Sequence, residues 1–211
     1  VINEVLMEPN IDLGFAYEFV ELYNRDSLQV SLTGWTFQSG SKTFDMPVCS
    51  IPANGFLIIA PEYLSNFPYA PANSVFLFDD ADLSNSGAML ILFDANDRLV
   101  TWLDYKDDWH SDEFALQGGY SLERIDTECL CCGQENWVTS EASNHGTPAA
   151  INSVVGELID EDSPEFIHIA VENENEILLM FNSPIWPDST LSNIEIEQLI
   201  IDSVFPVHPL F

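Results

Sequence analysis

The chain has 211 residues, 46% hydrophobic, 12% aromatic and 19% charged, a globular composition that excludes a disordered tail, a collagen and a coiled coil. Its 35 acids against five bases give a net charge of −30, so it cannot neutralise nucleic-acid phosphates, and an anionic bilayer repels it. No apolar run reaches the ~18 residues of a membrane-spanning helix, so no direct membrane insertion is expected, and cations, basic surfaces or uncharged polymers remain as partners.

Short runs rich in Val, Ile, Phe, Leu, Thr, Trp and Tyr recur between clusters of Gly, Pro, Asn, Asp and Ser. They predict strands over 1–7, 18–24, 30–39, 42–46, 56–61, 74–79, 88–94, 99–105, 120–126 and 136–140. Ser39-Gly40-Ser41, Ala53-Asn54-Gly55 and Asp94-Ala95-Asn96-Asp97 supply turn residues that tolerate the left-handed conformation. Pro9, Pro47, Pro52, Pro61 and Pro71 fall at run ends, where no ladder donor is needed. No segment sustains a helical apolar stripe. About ten strands at this spacing predict an all-β, two-sheet sandwich. Trp35 is expected as an anchor between the sheets, Tyr120 and Trp137 suit a sandwich edge, and Gly55 supplies a turn before a buried strand.

Charge divides the chain. Residues 1–150 hold 23 acids and all five bases, whereas residues 151–211 hold 12 acids and no base. Residues 154–165 are rich in turn formers and acids and read as a linker between a domain at 1–153 and a segment at 166–211. That segment is expected to form a β-hairpin, with strands at 166–171 and 177–181 around Glu172-Asn173-Glu174-Asn175, and a further strand at 193–202. Three strands are few for a closed sandwich. The piece is either cut from a larger domain or pairs its open edges with something else. A start at Val1 rather than Met reads as processed or trimmed.

Chemistry is sparse. No GxSxG, HExxH, Walker loop or GxGxxG occurs, so no catalytic residue is assigned and the chain is expected not to be an enzyme. His110, His145, His168 and His208 are scattered singly and read as structural. Cys129, Cys131 and Cys132 crowd together without a zinc spacing. One disulfide with spare thiols, four reduced thiols, or a sulfur metal site all fit them, and pairing with Cys49 is open in an oxidising compartment.

The carboxylate clusters are the strongest chemical feature, because hard cations take six to eight oxygens. Candidate calcium ligands are Asp79, Asp80 and Asp82, and Asp160, Glu161 and Asp162 in the linker, where like charges repel. Asp104, Asp107, Asp108, Asp112 and Glu113 form another acidic group. Glu18 and Glu21, three apart on one strand, point to opposite faces and cannot act as a glycosidase pair; Glu21 is expected to pair with Arg124. Tyr63, Phe67, Tyr69, Trp109 and Phe114 fall in loop-like stretches and either pack there or offer a ligand surface.

VINEVLMEP (1–9), EFVELYN (18–24), VSLTGWTF (30–37), IPANGFLIIA (51–60), LSNSGAMLILFD (83–94), YSLERID (120–126), NWVTS (136–140) and HGTPAAINSV (145–154) follow in order. Together they resemble the lamin tail domain, a small Ig-like sandwich. ILLMFNSPI (177–185) is similar to bacterial Ig-like domains that follow such modules. The resemblance implies an exported or cell-surface bacterial protein, since no heptad rod or basic nuclear-localisation run is present. It implies a non-catalytic interaction or scaffolding module, in adhesion or domain presentation, with a protein, a polysaccharide or other domains of the same polypeptide as partner. The alternative it implies is an accessory domain of a secreted hydrolase or nuclease.

Overall fold

The computed structural model describes residues 1–13, 15–66, 73–79, 82–110, 113–130, 132–158 and 165–181. In chain order the strands are β1 (Ile2–Leu6), β2 (Phe19–Tyr23), β3 (Val30–Ser31), β4 (Thr36–Ser39), β5 (Lys42–Asp45), β6 (Ser50–Ile51) and β7 (Phe56–Pro61). There follow β8 (Ser74–Phe78), β9 (Gly87–Phe93), β10 (Leu99–Lys106), β11 (Leu122–Arg124), β12 (Trp137–Thr139), β13 (Phe166–Asn173) and β14 (Glu176–Phe181). Helical structure among the described residues is limited to short 3₁₀ turns such as Glu62–Asn66 and Ala115–Gln117.

Two sheets face each other. One has six strands in the order β12-β11-β1-β2-β7-β8, the other four in the order β10-β9-β4-β5. Neighbours are antiparallel except β7 and β8, which run parallel. Alternation along each strand puts Val5, Val20, Leu22, Leu57 and Ile59 of the larger sheet against Phe37, Leu90, Leu92, Leu103 and Tyr105 of the smaller. Tyr105 is fully buried, and its hydroxyl donates to the Ser84 carbonyl at 2.9 Å, which satisfies its polar end.

The larger sheet is buried on its outer face as well. Leu6, Phe19, Ile58, Ala60 and Leu64 form a second core there, covered by Phe15, Tyr17 and Phe76. The three rings of residues 15–19 meet edge-on or tilted, with centroids 5.5–6.3 Å apart. This is why β1 and β2 read as nearly continuous apolar runs rather than clean alternations.

The expected strands recur with small shifts. The 30–39 strand is broken, because the chain turns at Gly34 (φ +79°) and Trp35 N–H bonds back to the Leu32 carbonyl at 3.0 Å. Trp35 therefore sits before β4, half-buried against the core, and the anchors it was expected to provide are Leu32 and Phe37. At 53–55 it is Asn54 that takes the left-handed conformation (φ 51°), not Gly55. Gly55 is needed for room instead: a Cβ there would lie 3.1 Å from Pro52. The 94–97 turn forms as expected, with Asp94 Oδ1 accepting from the N–H groups of Asn96 (2.8 Å) and Arg98 (2.9 Å). β13 and β14 pair as a hairpin whose turn shortens to Glu174-Asn175. The strand expected at 193–202 lies outside the described residues.

Candidate functional site

Three strand sequences, INEVL, FVELY and LER, each carry a glutamate beside buried apolar residues. In the sheet register Glu4 lies opposite Glu21 on one side and Glu123 on the other. Their side chains share the outer face with Leu6 and Phe19, and all three are fully buried. Like charges directly opposite one another are destabilising, and buried carboxylates need partners. The partners come chiefly from residues 145–153, a strap laid across the row.

Each glutamate is held differently. Glu4 Oε1 accepts from Ser121 Oγ at 2.6 Å and Thr147 N–H at 2.7 Å. Glu21 accepts from Asn3 Nδ2 at 2.8 Å and Ala149 N–H at 2.6 Å. Glu123 accepts from Ser140 Oγ (2.6 Å) and Thr147 Oγ1 (2.9 Å) at Oε1, and from Ser153 N–H (2.6 Å) and Ser153 Oγ (2.7 Å) at Oε2. Asn152 completes the seam: its Oδ1 accepts from Asn3 Nδ2 at 2.7 Å and its Nδ2 donates to the Arg124 carbonyl at 2.8 Å. The chain stays attached past the strap, through Gly156 N–H to the Ile125 carbonyl and Leu158 N–H to Asp126 Oδ2.

Crowding shifts the acids. Burial pushes the Glu4 carboxyl up to about 7, against its hydrogen bonds to Ser121 and Thr147. Burial, with the neighbouring Glu4 charge, pushes Glu21 up to about 8. The row is thus a set of acceptors for backbone and hydroxyl donors, partly kept neutral by its surroundings. Its oxygens already serve the strap, so it makes a latch rather than a catalytic pair.

Arg124 lies on the other side of β11 and does not pair with Glu21 as expected. Its Nε donates to the Ile2 carbonyl at 2.8 Å, and its guanidinium stacks 4.8 Å over the Trp137 ring. The reason is the pleat: Arg124 is one residue beyond Glu123 and so faces the inter-sheet core. Glu18, also buried, accepts from Leu83 N–H at 3.1 Å.

The cysteine cluster closes on itself. Cys129 and Cys132 form a disulfide and Cys49 is a free, half-buried thiol, so of the alternatives the sequence left open a disulfide forms within the cluster rather than to Cys49. The sequence spacing of three permits this ring, with Cα atoms 5.4 Å apart.

Of the expected calcium ligands, Asp82 is engaged by protein groups: it pairs with Lys42 Nζ, and its Oδ2 caps the Asp79 N–H at 2.9 Å. Asp80, Asp160, Glu161 and Asp162 lie outside the described residues. Among the described residues no group of three or more His, Cys, Asp or Glu side chains is arranged to hold a metal ion. His110 is buried, shares a hydrogen bond between Nδ1 and Thr139 Oγ1 at 3.0 Å, and is pushed down to about 4 by burial. His145 stacks on Tyr120 with centroids 3.9 Å apart. Trp109 packs against the core and Phe114 is exposed, while Phe67 and Tyr69 lie outside the described residues.

The glutamate row escaped the sequence reading, which weighed Glu18 and Glu21 but not Glu4 or Glu123. The available signal was a glutamate within each of two apolar strands, INEVL and FVELY, followed far downstream by the donor-rich HGTPAAINS.

A two-sheet Ig-like sandwich with a buried, donor-saturated latch defines a structural and interaction domain. Residues 1–107 match the lamin tail domain family, about half of the chain, and the chain belongs to that family of Ig-like domains, which generally mediate interactions. No curated protein matches it. The structural unit runs past the matched region, since β11, β12 and the strap complete the larger sheet and its outer cover.

Proposed function

We propose that this chain is a non-catalytic interaction and scaffolding module of an exported or cell-surface bacterial protein, serving adhesion or the presentation of neighbouring domains. The observation that carries it is the use of the buried acids: Glu4, Glu21 and Glu123 spend their oxygens on the strap and stiffen the sandwich, leaving loops as the working surface. A hollow beside Met7, His110 and Tyr120 has a volume of about 30 Å³, room for one water. A module of this kind acts by holding loops in fixed positions, so that a partner binds without paying to order them. The disulfide at Cys129–Cys132 fits an oxidising, extracytoplasmic compartment.

The test is to titrate the purified chain against immobilised proteins and polysaccharides while assaying glycoside, ester and phosphodiester cleavage. Saturable binding without turnover is expected, and turnover by the chain would overturn the reading. Surface labelling of intact bacteria carrying the full-length protein tests the location. Calcium at Asp79, Asp80 and Asp82 or at Asp160, Glu161 and Asp162 belongs to the same proposal. A melting midpoint that rises when calcium replaces EDTA supports it, and an unchanged midpoint removes it.

A further inference from the structure

Two loops meet at one end of the sandwich, residues 8–13 after β1 and residues 113–119 before β11. Gly119 N–H donates to the Glu8 carbonyl at 2.7 Å, and Asn10 Nδ2 donates to the Gln117 carbonyl at 3.0 Å. Gly118 and Gly119 have φ of +82° and +85°. A Cβ at Gly118 would lie 2.8 Å from the Glu8 carbonyl oxygen, and one at Gly119 would lie 2.9 Å from Leu13 Cβ. The two segments are therefore pressed together into one fixed platform, and only glycine permits the approach.

The platform carries apolar side chains in water. Ile11 is 76% exposed, Leu13 36%, Phe114 69% and Leu116 49%. They sit on adjoining loops rather than scattered over the surface, which is the arrangement that marks an interaction site. Acids flank them along the same segments, Glu8, Asp12 and Glu113, with Asp107 and Asp108 on the preceding 3₁₀ turn, and the nearest base in sequence, Lys106, pairs with Asp104. Glu8 and Asp107 border the small hollow that Leu116 and Tyr120 also line. An apolar centre with an aromatic anchor inside a charged rim is the anatomy of a protein interface.

Resting on the interaction-module reading above, we infer that this platform is a docking surface for a cationic, amphipathic polypeptide segment, one that presents apolar side chains flanked by Lys or Arg. The apolar side chains cover Phe114, Ile11, Leu13 and Leu116, while the basic groups meet Glu8, Asp12, Asp107 and Glu113. The single-sign rim steers such a segment in and repels acidic ones, including other copies of this −30 chain.

The experiment uses the full chain, labelled with nitrogen-15, and two synthetic peptides of equal charge, an amphipathic leucine–lysine helix former and a lysine–glycine control. The leucine–lysine peptide should shift amide signals in 8–13 and 113–119. The double variant Ile11→Ser with Phe114→Ser, whose sites are exposed and whose melting should match the parent, should bind that peptide at least tenfold more weakly. Its affinity for the control peptide should not change. Signals moving elsewhere, or a double variant that binds both peptides as the parent does, would overturn this surface and leave the interaction-module reading standing. Failure of the chain to bind either peptide or any immobilised polymer would remove both. Phosphatidylcholine vesicles that retain the parent but not the double variant would assign the patch to lipid and refute the proposal.

Discussion

Replacing Glu21 by Gln should make stability rise more, or fall less, between pH 6 and 8 than it does in the parent. Glu21 is fully buried beside Glu4, and burial raises its pKa from 4.5 to about 8. Between those values the folded state keeps a proton that the unfolded chain releases. Its contribution is therefore complete below pH 4.5 and is lost as pH rises through about 8. From pH 6 to 8, where the folded group reaches half-titration, the loss is about 1.7 pH units at ~1.4 kcal/mol each, roughly 2 kcal/mol. For a domain of this size that corresponds to a drop of roughly 5–10 °C in the midpoint. Glu4, raised to about 7, adds a smaller loss over the lower half of the window. Gln cannot ionise, so the variant should lose the Glu21 share of the slope while keeping the Glu4 share and the opposite contribution of the Val1 amino group, which burial lowers from 8.0 to about 5. At pH 6 it should be about 1–2 kcal/mol less stable than the parent, because its amide cannot accept from both Asn3 Nδ2 and Ala149 N–H. Calorimetry at pH 6, 7, 8 and 9 in ~0.5 M salt, which screens the surface charge, measures both slopes. Parallel slopes in parent and variant would refute the reasoning.

His110 works in the opposite direction: burial lowers it from 6.5 to about 4, so its contribution is present above pH 6.5 and lost as pH falls through 4. His110→Gln should therefore narrow the acid-side loss by about 2–3 kcal/mol relative to the parent, read by urea melts at pH 7 and 4. Glu123→Leu should cost about 2–3 kcal/mol at pH 7, since it leaves the Ser153 N–H and the Ser140 and Thr147 hydroxyls without their acceptor, and a cost under ~0.5 kcal/mol would contradict the bonding described. Reducing Cys129–Cys132 closes no long loop and should lower stability by about 2 kcal/mol or less, leaving the fold intact by circular dichroism.

The sandwich was legible because its signals are local. Alternating β-branched and aromatic runs fix strands, and Asn, Asp and Gly at the joints fix turns, so β1, β2, β7, β9 and β10 fall where the pattern puts them. The break inside 30–39 was less visible, because VSLTGWTF keeps its apolar character through the turn at Gly34. The latch was hidden for a different reason. Glu4 and Thr147 are 143 residues apart, as the hydrogen bond between them records, and no periodicity links a glutamate in one strand to a backbone donor that distant. Sequence spacing also misled over Arg124, since one step along β11 separates the outer face of Glu123 from the inner face of Arg124. Nor does composition choose among the cysteines of the cluster: the loop geometry that brings Cys129 and Cys132 together decides the disulfide.

The central physical claim is that three buried glutamates clamp residues 145–153 onto the sheet and make that segment part of the fold. Native-state hydrogen exchange at Thr147, Ala149 and Ser153 tests it directly, because each of these amides donates to one of the three acids. Protection comparable to that of the β1 and β2 amides is the predicted result. Exchange at the rate of an open loop, with β1 and β2 still protected, would contradict it.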